Sequence, residues 1–210
     1  ARAALALELR VDGPFHIGYL LENVPELSFW LGAGAVSGAT LVGINPTRQG
    51  AELARDIRHT DCQLIVTDSN LAPMLDGLDV GVPPERILRV DTPEYAALVA
   101  RHEGAPFPDV EVPADAMALL LFTSGTSGAP KAVITTQGRW ARTGRVLSMT
   151  QELDENSVGY LSMPMFHSNA LFAGWSPIVY AGGTLALRRK FSASGFLPDV
   201  RKFKATYFNY

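Results

Sequence analysis

Residues 119 to 133 read Leu119-Leu120-Leu121-Phe122-Thr123-Ser124-Gly125-Thr126-Ser127-Gly128-Ala129-Pro130-Lys131-Ala132-Val133. An apolar run thus ends in seven residues that are all Thr, Ser, Gly or Ala, followed by Pro and Lys. Hydroxyls and exposed backbone N–H groups suit an anion with many oxygens, and glycine lets the main chain approach it closely. A lysine at the rim adds a point charge of the kind found in phosphate cradles. The β-branched Val133-Ile134-Thr135-Thr136 that follows predicts strand–loop–strand rather than strand–loop–helix. A Walker loop is excluded, because Lys131 follows Pro130 and precedes Ala132, and no G-x-G-x-x-G fingerprint is present. On residue types alone, a phosphate-binding loop and a plain Gly/Ser connector both fit.

The other residues with chemical potential are scattered. His167 follows an apolar stretch beside Phe166, where an imidazole could meet a carboxylate or simply bond to backbone at a strand end. His16, His59 and His102 have no metal-ligand spacing and read as surface or turn residues. Cys62 is the only cysteine, which excludes an internal disulfide, fits a reducing compartment and reads as a structural thiol. No metal-binding group is expected from the protein side chains. Arg188, Arg189, Lys190, Arg201, Lys202 and Lys204 form a basic cluster with Asp199 as the opposing acid. A solvated helix face is its default reading, and an anionic membrane surface or the phosphates of coenzyme A are the alternatives.

These residues must be positioned by an alternating frame. Strands are expected near 17–21, 40–44, 63–67 and 86–90, separated by a buried helix at 25–37, an amphipathic helix at 50–60 and a short helix at 70–75. A surface helix is expected at 93–102. That alternation implies parallel βαβ units. The Pro-rich, acidic stretch 104–113 reads as a linker between a first lobe (14–103) and a second (114–210). The second lobe is expected to hold strands at 117–122, 131–136, 159–163, 184–187 and 206–210, with helices at 139–150, 170–180 and 193–203. The fold class is therefore α/β, in two stacked βαβ-type lobes. The chain of 210 residues is 47% apolar and 19% charged, ordinary for a globular protein, and its net charge of −3 argues against nucleic acid as the main partner. The weakly charged stretch 27–49 is long enough to mimic a membrane span, but its Gly, Ala and Ser content and Asn45-Pro46 favour a buried helix followed by a buried strand. Ala1 to Arg10 lacks the pattern of a secretory signal.

The run Thr123 to Lys131 resembles the phosphate-binding signature of the adenylate-forming superfamily, Thr-Ser-Gly-Thr-Thr/Ser-Gly-x-Pro-Lys-Gly, with Ala132 in place of the final glycine. Leu21-Glu22-Asn23-Val24-Pro25-Glu26, Gly43-Ile44-Asn45-Pro46 and Pro164-Met165-Phe166-His167-Ser168-Asn169-Ala170 also resemble segments of that family, in the expected order. Asn45-Pro46-Thr47-Arg48 and the His167 segment are most similar to fatty-acid–CoA ligases of the actinobacterial kind.

The resemblance implies part of the large amino-terminal domain of such an enzyme, without its carboxy-terminal domain. It implies ATP, Mg2+ and coenzyme A as cofactors and a small-molecule carboxylic acid as substrate. It implies nucleotide contacts from Thr123, Ser124, Gly125, Thr126, Ser127 and Gly128, with Lys131 as electrostatic support and His167 lining the place where the carboxylate meets the nucleotide. The family's downstream Thr-Glu, ribose-binding aspartate and mobile-domain lysine do not occur before Tyr210, so the chain is expected to be inactive alone. A cytoplasmic setting, peripheral membrane contact and a homodimer complete the expectations. The alternatives are an aryl-CoA ligase, an acyl-AMP ligase, or a non-catalytic nucleotide-binding or interaction module that kept the fold.

Overall fold

The fold is given by a computed structural model that describes residues 1–123 and 131–210, in two compact units. The first unit comprises 1–21 and 26–137. In chain order its elements are α1 (Arg2–Glu8), β1 (His16–Leu20), α2 (Pro25–Ser37), β2 (Thr40–Gly43), α3 (Gly50–His59), β3 (Cys62–Thr67), β4 (Ile87–Arg89), α4 (Pro93–Ala100), β5 (Met117–Thr123) and β6 (Lys131–Thr136). Short 3-10 turns lie at Ala72–Leu75 and Pro84–Arg86.

The six strands form one sheet in the order β4-β3-β1-β2-β5-β6. All neighbours are parallel except β5 and β6. A parallel sheet covered on both faces demands continuously apolar strands, and β1 and β2 are buried at every position. Leu20, Val42, Leu53, Ile57 and Ile65 form one core cluster, all essentially without solvent exposure. Helix α2 buries Leu27, Trp30, Leu31, Ala33 and Gly34. The Trp30 indole N–H is satisfied by the Tyr95 hydroxyl at 2.9 Å.

The lobe boundary expected at 104–113 lies elsewhere. β5 pairs with β2 (Leu41 opposite Leu119), so residues after the Pro-rich stretch complete the first sheet, and the units divide between Gln137 and Gly138. β4 lies at one end of the sheet and β5 at the far side of β2. Parallel strands need a long crossover, and α4 with the Pro-rich stretch forms it. Prolines mark irregular chain, which a domain linker and a crossover share.

The second unit comprises 22–25 and 138–210. It contains α5 (Gln137–Thr150), β7 (Val158–Leu161), a π-helical turn (Ala170–Trp175), α6 (Ser176–Ala181), β8 (Thr184–Leu187), α7 (Ala193–Phe203) and β9 (Tyr207–Phe208). The strands pair in parallel in the order β8-β7-β9. The single helix expected at 170–180 is interrupted for a local reason. Pro177 has no N–H to give the carbonyl four residues back, that of Ala173, and the Tyr207 hydroxyl donates to this carbonyl instead at 2.6 Å. Gly182, at φ 74°, ends α6 in the left-handed conformation that glycine adopts most readily.

Helix α5 packs by a close backbone approach. Trp140 stacks on Trp175 with ring centroids 4.9 Å apart, and a Cβ on Gly144 would lie 2.9 Å from the Ser176 carbonyl oxygen. Backbone cannot yield as a side chain does, so Gly144→Ala is expected to destabilise the protein by about 1–3 kcal/mol. Gly32 in α2 has nothing within 4 Å of such a Cβ, and Gly32→Ala is expected to be neutral or stabilising by up to about 1 kcal/mol. Thermal unfolding of the two variants side by side checks this; equal stability for both would contradict the packing account.

Candidate functional site

Strand β5 is hydrogen-bonded on both sides and carries Leu119, Leu120 and Leu121 fully inside the core. Its carboxyl end is therefore a rigid place from which to start a loop. Antiparallel β6 returns beside it in the register Leu120–Ile134, Leu121–Val133, Phe122–Ala132 and Thr123–Lys131. Strands thus lie on both sides of residues 124–130, as expected, and Thr123 and Lys131 are cross-strand partners. Lys131 is exposed. Ser124, Gly125, Thr126, Ser127 and Gly128 lie outside the described residues. The outer strand β6 leaves Val133 and Ile134 half-exposed, as an edge strand does.

His167 lies in the second unit, past the end of β7. Its backbone N–H donates to the Pro164 carbonyl at 3.0 Å, and its ring lies 4.1 Å from that of Phe166, tilted by 47°. The residue is exposed overall, yet its surroundings remove part of the ring's water, and this desolvation lowers its pKa below the ordinary 6.5. The ring is therefore neutral at pH 7, with one nitrogen to donate and one to accept a hydrogen bond. Asn23 carried no role in the sequence reading. It sits almost fully buried against the backbone leading to His167, some 140 residues away along the chain, a distance that no periodicity or motif spacing spans.

Carboxyl to β7 and β9 lies an apolar crevice of about 270 Å³, walled by Tyr160, Met163, Phe191, Phe196 and Phe208. Phe196 meets Tyr160 and Phe208 edge-on, at 5.6 and 5.0 Å. Phe208 and Tyr210 are exposed, whereas Tyr207 is partly buried.

The basic cluster has more opposing acid than its local sequence suggests. Arg188 pairs with Asp199 at 3.2 Å, but Arg189 and Lys190 both pair with Glu22, at 3.0 and 2.7 Å. Burial opposes ionisation of Glu22, but hydrogen bonds from Lys190 and Arg189 outweigh it and hold the carboxyl below its usual range. Arg201, Lys202 and Lys204 stay exposed on and just beyond α7 beside exposed Leu197, with the Lys202 ammonium 5.3 Å from the Phe203 ring centroid. Charge is also divided between the units. The second has nine Lys and Arg against five Asp and Glu, net +4, and the first has nine against sixteen, net −7.

His16 departs from the surface role expected of it. It is buried in β1, and its Nδ1 lies 2.7 Å from the Thr60 carbonyl oxygen. His102 is partly buried with Nε2 2.6 Å from Glu8, and His59 is exposed. Cys62 is free and buried, its thiol pushed up to about 12 chiefly by burial, which makes it inert at neutral pH. Among the described residues no three His, Cys, Asp or Glu side chains are grouped to hold a metal ion.

A segment rich in hydroxyls and glycine follows the carboxyl end of a parallel strand, the end at which open α/β sheets commonly bind ligands. The chain belongs to the AMP-binding enzyme family, matching it over residues 1–210. It is 54% identical over its whole length to the steroid-22-oyl-CoA synthetase of Rhodococcus jostii, and 45% identical to the medium/long-chain-fatty-acid–CoA ligase FadD17 of Mycobacterium tuberculosis. It spans 38% and 41% of these relatives' lengths. A putative long-chain-fatty-acid CoA ligase from Rhodopseudomonas palustris superimposes on 98% of the chain with a TM-score of 0.85 at 20% identity, over 52% of its own length. The amino-terminal domain of FACL13 from Mycobacterium tuberculosis does so over 98% of the chain and 52% of its own, with a TM-score of 0.82 at 20% identity. The α/β fold is that of the amino-terminal domains of acyl-CoA synthetases.

The His167 environment yields a titration test. A histidine with a lowered folded value binds fewer protons folded than unfolded, so stability is unaffected above pH 6.5 and falls as pH drops through the window just below it. NMR titration of the histidine ring protons is expected to place the His167 midpoint below 6.5. A midpoint above that value would contradict the packing of its ring on Phe166.

Proposed function

We propose that the protein carrying this chain activates a carboxylic acid with ATP to an acyl-adenylate and passes the acyl group to the thiol of coenzyme A. The observation that carries the reading is the Thr123–Lys131 signature, closed at both ends by the β5–β6 register, in a member of the AMP-binding enzyme family. Relatives named steroid-22-oyl-CoA synthetase and medium/long-chain-fatty-acid–CoA ligase support an acid with a large apolar body, a fatty acid or a steroid side-chain acid.

The chemistry asks little acid–base work of the protein. A carboxylic acid is ionised at neutral pH, so its oxygen is already a nucleophile and no general base is needed. The task is to orient that oxygen toward the α-phosphorus and to stabilise charge on the departing pyrophosphate. Thr123, Ser124, Gly125, Thr126, Ser127 and Gly128 supply hydroxyl and amide donors to the β- and γ-phosphates, and Lys131 supplies positive charge at the rim. Neutral His167 donates a hydrogen bond to the substrate carboxylate and holds it without competing for its charge. Mg2+ is a hard cation that takes oxygen ligands, and the phosphate oxygens of the nucleotide would supply them. Coenzyme A contributes the thiolate that attacks the adenylate carbonyl and displaces AMP.

Acid-dependent exchange of labelled pyrophosphate into ATP tests the first half-reaction. Exchange is expected with long-chain or steroid acids and not without acid, and Lys131→Ala is expected to slow it about 10- to 1000-fold. An absence of exchange across a broad panel of acids would favour a binding module over an enzyme.

No helix among the described residues is long and apolar enough to cross a membrane. Exposed Leu197 beside Arg201, Lys202 and Lys204 supports peripheral contact with an anionic leaflet from a cytoplasmic setting. Co-sedimentation with vesicles containing phosphatidylserine is expected in low salt and lost in high salt or in the triple variant Arg201→Glu, Lys202→Glu, Lys204→Glu; retention by the variant would remove this contact from the account.

A further inference from the structure

The segment that leads to His167 has little regular structure of its own. β7 ends at Leu161, and the π-helical turn begins only at Ala170. Pro164, at the middle of the connection, has no N–H to give to any ladder. Two backbone groups flanking it, the Met163 carbonyl and the Met165 N–H, need partners if the chain is to run through the protein in one conformation.

Asn23 supplies both. Its Nδ2 donates to the Met163 carbonyl at 2.8 Å, and its Oδ1 accepts from the Met165 N–H at 3.0 Å, so one planar amide brackets Pro164. Nδ2 also donates to the Arg188 carbonyl at 3.3 Å, just past β8. That residue's N–H extends the ladder by donating to the Leu161 carbonyl at 2.9 Å. Asn23 is 4% exposed, and three hydrogen bonds from one buried side chain define its plane. The next link is the Pro164 carbonyl, which accepts from the His167 N–H. On the other side, the neighbouring Glu22 is tied to Arg189 and Lys190. Asparagine fits the position chemically, because an amide offers a donor and an acceptor side by side, whereas an ionised aspartate only accepts and a serine hydroxyl is too short to span both groups.

We propose that Asn23 is a positioning residue for acid activation: by bracketing Pro164 it sets the turn from which His167 reaches the substrate carboxylate. The role rests on the adenylation reading, but the placement of His167 is measurable without it. Asn23→Ala, and Asn23→Ser as the gentler variant, free the two backbone groups. Gly144→Ala serves as a comparison that loosens the same unit at the Ser176 carbonyl and leaves the groups flanking Pro164 bonded.

In the Asn23 variants the His167 titration midpoint is expected to rise toward 6.5 as the ring leaves Phe166 for water, whereas Gly144→Ala leaves it unchanged. In acid-dependent pyrophosphate exchange the Asn23 variants are expected to lose about 10- to 100-fold in kcat, the scale of a small misplacement of a reacting group. KM for ATP is expected to stay near the parent's, because the loop after β5 is untouched. A folded Asn23 variant with His167 titrating as in the parent, or an equal shift in Gly144→Ala, would overturn the proposal. A parent without exchange would refute the adenylation reading, and the titration would still decide what Asn23 does.

Discussion

The anion-binding role proposed for residues 124–128 requires the ends of that segment to be held at a set separation, and the pairing of Thr123 with Lys131 provides that constraint. Closing a flexible loop costs entropy whether or not a ligand is present, and strand pairing on both sides of the loop meets that cost in the folded protein. The pairing is itself secured from behind. β5 is buried because β2 lies beside it in parallel, and β2 is buried because α2 presses a small-residue face against the sheet, close enough that a Cβ on Gly34 would fall 1.9 Å from a Leu41 methyl. The position of Lys131 thus depends on packing two strands away.

The second unit solves a different problem. His167 sits on irregular chain, where no ladder sets the backbone, so side chains do that work. Asn23 bonds the peptide groups around Pro164, Tyr207 covers the carbonyl that Pro177 leaves open, and Glu22 ties down Arg189 and Lys190. The first two compensate for a specific loss of backbone bonding, and the third ties side chains together. The irregular stretch is thereby held in one conformation without becoming a helix or a strand.

Much of this was legible from residue order, for physical reasons. Buried parallel strands must be apolar runs of four to six residues, so β1, β2 and β3 stand out, and α3 shows its amphipathic period. The strands on either side of the hydroxyl- and glycine-rich segment were legible as well, because an apolar run precedes it and a β-branched run follows it. The lobe boundary was not, since a proline-rich crossover and a proline-rich linker have the same composition, and only the pairing of Leu41 with Leu119 distinguishes them. His16 was misread for a similar reason: a lone histidine is unremarkable in sequence, and the Thr60 carbonyl that its buried ring meets lies 44 residues away. The acid that opposes Arg189 and Lys190, and the amide that holds the His167 segment, lie in a short stretch more than 130 residues earlier. Long-range partnerships of that kind leave no local trace.

The central claim is that a substrate carboxylate oxygen attacks the α-phosphorus of ATP. It is tested most directly by supplying the acid with both carboxylate oxygens as 18O, letting the reaction run to the coenzyme A thioester, and weighing the products by mass spectrometry. Attack at the α-phosphorus forms the acyl–O–P bond with a labelled oxygen and expels pyrophosphate, and thiolate attack then leaves that oxygen on AMP. The account predicts one 18O per AMP and none in pyrophosphate. Label in inorganic phosphate, with ADP as the nucleotide product, would mean attack at the γ-phosphorus and would contradict it.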